Sequence, residues 1–205
     1  MSPDLAAGGG HPMSEFKRRI VVGISGASGP IYGIRTLQAL RSTQDTEIHL
    51  ILTEAARRII LLETDWSPDE VCKLSHANYE NSDLAARLSS GSFPTDGMIV
   101  APCSMHTLSE IAHAAGGDLL ARAADVHLKE RRRLILLTRE TPLHLGHLRN
   151  MVLASEAGAV ILPPVPAFYQ RPGTINDIVD HSVGKALDLL SIPHNLFARW
   201  QGPAG

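Results

Sequence analysis

Cysteine is scarce: Cys72 and Cys103 are the only two among 205 residues. A pair this sparse does not build a disulfide framework. Long apolar runs are missing too, and none reaches the roughly 20 residues that a membrane helix needs. Excess positive charge is absent. The net charge of -2 argues against a nucleic-acid binder that works by bulk electrostatics. The opening MSPDLAAGGGHPMSEF carries two acids and has neither the apolar core of a signal peptide nor the Arg-rich pattern of a transit peptide. It reads as a disordered leader over 1–17. These features together point to the cytoplasm, and they leave 18–200 as a single domain with a short tail over 201–205.

What is present is alternation. Apolar runs at Ile20–Ile24, Ile48–Leu52, Met98–Ala101, Leu134–Leu137 and Val160–Leu162 read as five strands. Continuous Val/Ile/Leu runs suit strands buried on both faces, as in parallel sheets. Helical spacing lies between them. Ile31, Ile34, Leu37 and Leu40 recur on one face. Ile175, Ile178, Val179, Ser182, Val183, Ala186, Leu187 and Leu190 form one stripe. Strand–helix alternation predicts an α/β, doubly wound, mostly parallel sheet in three layers. The stretch 64–95 is less regular; Ser67 opens SPDE as a helix cap.

Ligands of open α/β sheets sit beyond the carboxyl ends of the strands. Gly26-Ala27-Ser28-Gly29-Pro30 follows the first strand and leads into a helix. Its glycines permit close backbone approach, and free N–H groups at the helix start suit a phosphate or carboxylate. A plain structural turn fits the same residues. Thr53 follows the second strand. Cys103-Ser104-Met105-His106-Thr107 follows the third, where Ser104 or Thr107 can cap a helix or bind a polar ligand. No base accompanies Cys103, so a buried small residue fits it better than a nucleophile. Arg139-Glu140 ends the fourth strand. Its place at a crevice rim favours an anion grip and a proton carrier over a surface ion pair.

Arg122 and Lys129 are seven residues apart on one helix, about 10 Å along its axis. Flanking a phosphate and forming a solvated basic face remain open for that pair. The solvated reading fits Arg131–Arg133 better. His144 and His147 lack a third ligand at suitable spacing and make a poor zinc site. Tyr169 follows a stiff Pro-rich segment, and Lys185 lies off the apolar stripe of the last helix.

GxSGASG, PCSMxTL, RAADVxLKERRxL, RETPL, HLxNM, PPVPAFY and TIxDIVxxxVGxxLDLLxI follow one another in order over about 19–200. In these motifs the chain resembles the flavin prenyltransferase family, UbiX-type enzymes once described as aromatic-acid decarboxylases. The resemblance implies a flavodoxin-like fold and noncovalently bound FMN. It implies transfer of a dimethylallyl group from dimethylallyl phosphate to reduced FMN, closing a ring across N5 and C6. The product, prenylated FMN, would serve a partner decarboxylase. No metal is implied, and a homo-oligomer, often a dodecamer, is.

Position by position, the resemblance puts FMN contacts on Gly26, Ala27, Ser28, Thr53, Ser104, Met105, His106, Thr107 and Arg139. It puts acid/base carboxylates on Glu63 and Glu140, with Ser28 as a further catalytic position. Prenyl-phosphate contacts fall on Tyr169 and Lys185, with charge from Arg122 and Lys129. Trp200 offers a π face for an allyl cation. Three departures stand out: His106 for Lys or Gly, Gly117-Asp118 for Asp-Asn or Asn-Asn, and His144-Leu145-Gly146 for Ser-x-Ile. The competing readings are a decarboxylase of cysteine-containing substrates and a non-catalytic FMN carrier. The first lacks a histidine between Ile20 and Asp45; Glu63, Glu140, Tyr169 and Lys185 speak against the second. The spread of the phosphate clamp along the chain predicts a site shared between subunits. The opposing expectation is that the loop around Ser89–Gly97 closes the site within one chain.

Overall fold

The computed structural model describes residues 18–43, 45–200 and 202. The leader expected over 1–17, and all of the 201–205 tail except Gly202, lie outside the described residues. Six strands form one parallel sheet: β1 (Arg18–Ile24), β2 (Thr46–Leu52), β3 (Ala77–Glu80), β4 (Gly97–Cys103), β5 (Arg133–Thr138) and β6 (Val160–Ile161). Their order is β3-β2-β1-β4-β5-β6. Without the short edge strand β3, this is the flavodoxin-like order 2-1-3-4-5, which reverses between β1 and β4.

Alternate strand residues face opposite sides. Ile20, Val22 and Ile24 pack with Ile34, Leu37 and Leu40 of α1 (Ile31–Arg41) and with Val179, Val183 and Leu187 of α7 (Ile175–Leu189). Ala56 and Ile60 of α2 (Glu54–Glu63) and Val71 of α3 (Pro68–Cys72) join the same core. Val21, Met98, Val100, Leu134 and Leu136 face the other way. They meet α4 (Met105–Ala112), α5 (Leu119–Lys129) and α6 (Leu145–Ala157) through Leu108, Leu120, Ala123, Ala124 and Ala154. Both faces are therefore covered, which is why the strands read as unbroken apolar runs. Truncating a fully buried leucine such as Leu37 to alanine costs about 2–5 kcal/mol.

The five expected strands are present. β3 lies in the stretch that reads as irregular, because ANYE has no branched apolar run and is only half-buried, at alternate positions. It is an edge strand, kept short. Ser67 caps α3 in a full capping box with Glu70. Ile175 of the expected α7 stripe is exposed, and the buried face runs from Val179 to Leu187. Among the three arginines expected to be solvated, Arg132 is not: it donates to the carbonyls of Gly91 and Phe93 and to Thr95 Oγ1, lacing the 91–95 loop to the amino edge of the sheet.

His127 is 1% exposed. The Ala123 carbonyl accepts from its Nδ1–H at 2.7 Å, leaving Nε2 to accept from Thr95 Oγ1 at 2.9 Å. Burial pushes its pKa down to about 4, and burial does the same to His49. Folded values below the unfolded value of about 6.5 mean that the unfolded chain binds more protons between these limits. Stability is then complete above about pH 6.5 and is lost as pH falls through about 4. Urea midpoints measured from pH 7 to 4 should fall for the parent and fall less steeply for His127→Gln; parallel slopes would contradict this account.

Candidate active site at the carboxyl edge of the sheet

The crevice opens where β1 and β4 part. Ser25, fully buried, ties the two loops: its N–H and Oγ–H donate to the Pro102 carbonyl at 3.2 and 2.9 Å, and its Oγ accepts from Ser104 N–H at 2.8 Å. Sequence reasoning passed over Ser25, although it opens the Gly-rich motif. Gly26 lies against α2, where an added Cβ would come 2.4 Å from the Ala55 Cβ. Gly29 has φ +88°, a left-handed conformation that glycine adopts without strain. Its N–H donates to Glu63 Oε2 at 2.7 Å, so the last residue of α2 holds the turn after β1.

Two helices start at this edge with their own caps. Thr53 Oγ1 accepts from Ala56 N–H at 3.1 Å, and Ser104 Oγ accepts from Thr107 N–H at 3.2 Å. Both hydroxyls act as helix caps, yet the positive ends of α2 and α4 still face the crevice with further N–H groups uncapped. Ala27 and Thr107 are buried; Ser28, Met105 and Ser104 are half-buried. His106 is exposed, 3.7 Å from Glu110. Cys103 is buried and desolvation drives its thiol far above the usual range, so it is no thiolate nucleophile.

At the end of β5, the Arg139 N–H donates to the Cys103 carbonyl at 3.0 Å. Its guanidinium acts on Tyr32 of α1, whose phenol is pushed up by burial and drawn back by Arg139. Tyr32 is a second rim residue that sequence reasoning missed. Glu140 is exposed, with one carboxylate oxygen accepting from Thr141 N–H at 2.9 Å. Next to Arg139, Thr138 Oγ1 is buried without a hydrogen-bond partner. A ligand with polar edges fits this inventory: close backbone at Gly26, helix amides, an orphaned hydroxyl and a guanidinium. His144 caps α6 and packs against His147 with the rings tilted by 36° and their centroids 3.7 Å apart; no group of three metal-ligating side chains occurs among the described residues.

The four residues expected to clamp a phosphate are not brought together within one chain. Arg122 donates to Asp125 and to the Ser89 carbonyl, and Lys129 lies beside Gly91 and pairs with Glu130. Both belong to α5, on one face of the sheet. Tyr169 and Lys185 belong to the opposite face, with α7. Tyr169 meets Trp200 edge-on at 6.0 Å and bonds His181, one turn before Lys185. Within one chain the four therefore fall into two separate pairs. The Ser89–Gly97 loop, the opposing candidate for closing the crevice, runs into the first residue of β4, at the opposite, amino edge of the sheet.

The family model described as Flavoprotein matches residues 10–187. The flavin prenyltransferase UbiX of Escherichia coli K12 is 56% identical over 187 residues, 90% of this chain and 99% of that protein. A crystal structure of AnUbiX (PadA1) with FMN and dimethylallyl pyrophosphate superposes with TM-score 0.89 at 51% identity, covering 91% of this chain and 99% of that one. A dodecameric FMN-dependent UbiX-like decarboxylase from Escherichia coli O157:H7 gives TM-score 0.88 at 46% identity, covering 90% and 100%. With 56% identity along nine-tenths of its length and a fold that superposes on its relatives, this chain belongs to the flavin prenyltransferase family.

Proposed function

We propose that this protein transfers a dimethylallyl group from dimethylallyl phosphate to N5 and C6 of reduced FMN, supplying prenylated FMN to a partner decarboxylase in the cytoplasm. The observation that carries the reading is the convergence of Gly26–Gly29, Thr53, Ser104–Thr107 and Arg139–Glu140 on one sheet edge, in a chain that matches its Escherichia coli relative over 90% of its own length and 99% of the relative's. FMN supplies the nucleophilic nitrogen and ring carbon when bound. Gly26, Ala27, Ser28, Thr53, Ser104, Met105, His106, Thr107 and Arg139 are the residues that would hold it.

The chain's own residues then have three tasks. The departing phosphate carries about -1.5 to -2 charges near neutral pH, and Arg122, Lys129, Tyr169 and Lys185 stabilise that charge. Tyr169 and Trp200 give the allyl fragment an aromatic wall that excludes water. Glu63, whose carboxylate holds the Gly29 N–H, and Glu140 after β5 would be the groups to take up a proton released in the reaction, with Ser28 on the turn that Glu63 holds. Among the described residues no helix is long and apolar enough to cross a membrane.

Titration with FMN should saturate without covalent attachment and persist in chelator; strict chelator sensitivity would defeat the metal-free reading. Lys185→Ala should raise the KM for dimethylallyl phosphate by about 10- to 100-fold, the loss of one charge-assisted hydrogen bond, and leave FMN bound. Release of inorganic phosphate from the donor, dependent on reduced FMN, reports this directly. Parent-like turnover by Lys185→Ala would make Lys185 a surface residue.

Separation of the basic residues on two sheet faces supports a site completed by a second copy, in an oligomer that we take to be dodecameric. Mixing Arg122→Ala with Glu140→Ala subunits should restore part of the activity that each variant lacks alone. No recovery, with subunit exchange demonstrated, would place each site within one chain.

A further inference from the structure

His181 lies between the two residues assigned to the prenyl phosphate on the α7 side. Its Nε2 is 3.2 Å from the Tyr169 hydroxyl, and Lys185 follows one turn later on the same helix. The ring is packed edge-on to Tyr169, with centroids 5.9 Å apart, and against Phe197 at 4.8 Å. It also lines a cavity of about 190 Å³ with Arg171, Asp177 and Phe197. Burial lowers its pKa first, and the Lys185 ammonium lowers it further; Asp188 opposes them. Asp188 is itself neutralised by Arg199 and His194, which approach from the C-terminal segment.

Imidazole chemistry makes this contact directional. In the neutral tautomer whose Nε2 is bare, that nitrogen accepts from Tyr169, and the phenol's only O–H is then committed to His181. A protonated ring can only donate. It then turns the Tyr169 oxygen into an acceptor and leaves the phenol proton for another partner. A phosphate dianion placed at Tyr169 and Lys185 is that partner, and it also offsets the Lys185 charge, which adds to burial in lowering the His181 pKa.

We propose that His181 is a positioning residue for prenyl-phosphate capture: it takes up a proton as the donor binds and thereby frees the Tyr169 hydroxyl to donate to the phosphate. This rests on the assignment of Tyr169 and Lys185 to the donor. The proton comes from solvent through the adjoining cavity and returns there when phosphate leaves. His181 does not touch the allyl group or the flavin.

The test is calorimetry at pH 7.5, with dimethylallyl phosphate titrated into the FMN-loaded oligomer in two buffers of different ionisation heat. FMN is kept oxidised so that the donor does not turn over. At this pH the donor is almost wholly dianionic, its second pKa being about 6, so it contributes little proton exchange of its own. The parent should take up a proton on binding. His181→Gln should take up none and bind severalfold more weakly, and Tyr169→Phe should erase the difference between His181 and Gln. FMN retention by each variant shows that it is folded. Equal proton uptake by parent and His181→Gln overturns the inference and leaves the phosphate assignment standing. Donor binding unaffected by Tyr169→Phe and Lys185→Ala overturns that assignment and the inference with it.

Discussion

Everything at the carboxyl edge depends on how β1 and β4 are held where their chains turn to opposite faces. The buried Ser25 does this with three hydrogen bonds, to the Pro102 carbonyl and from the Ser104 N–H. A buried hydroxyl left without such partners would cost about 1–3 kcal/mol, so the tie also enforces the loop geometry. It sets the distance between the Gly26–Gly29 turn and the start of α4. It thereby sets which amides can face one ligand. Glu63 adds a second clasp from α2 to Gly29, which places a carboxylate beside the same turn. The crevice is preorganised by the fold rather than by mobile loops.

Strands and rim loops were legible because burial on both sheet faces writes unbroken Val/Ile/Leu runs, and ligand loops must follow them. β3 was not legible: ANYE is half-buried at an edge and carries no such signature. Ser25 escaped notice because one serine inside a Gly-rich turn looks like any other, and its partners lie 77 and 79 residues away. Tyr32 escaped for the same reason, since the Arg139 charge that acts on it comes from far along the chain; His181 escaped because only the turn of the chain before α7 brings Tyr169 to it. Glu63 was reached only through family resemblance. Nothing local distinguishes it at the end of a helix that begins and ends with glutamate.

The clamp was legible as residue types and not as an arrangement. Spacing along the chain puts Arg122 and Lys129 on one helix face, and the fold then assigns that helix to the side of the sheet away from Tyr169 and Lys185. Exposed apolar side chains tell a matching story. Leu145, Leu148 and Val152 make one stripe on α6, and Phe168, Tyr169 and Trp200 are also uncovered. Contiguous apolar surface of this kind marks a surface that binds other protein. Arg122 and Lys129 lie on one side of the sheet and Tyr169 and Lys185 on the other, the separation on which the proposal of a site completed by a second copy rests.

The central claim is that this crevice builds a new carbon skeleton onto FMN, and the flavin itself records whether it does. Anaerobic incubation of the enzyme with reduced FMN and dimethylallyl phosphate, followed by mass spectrometry of the released flavin, reads it directly. The account predicts a flavin heavier by one isoprene unit, formed only when enzyme and donor are both present. Unmodified FMN recovered from a folded, flavin-loaded enzyme with intact donor would contradict it.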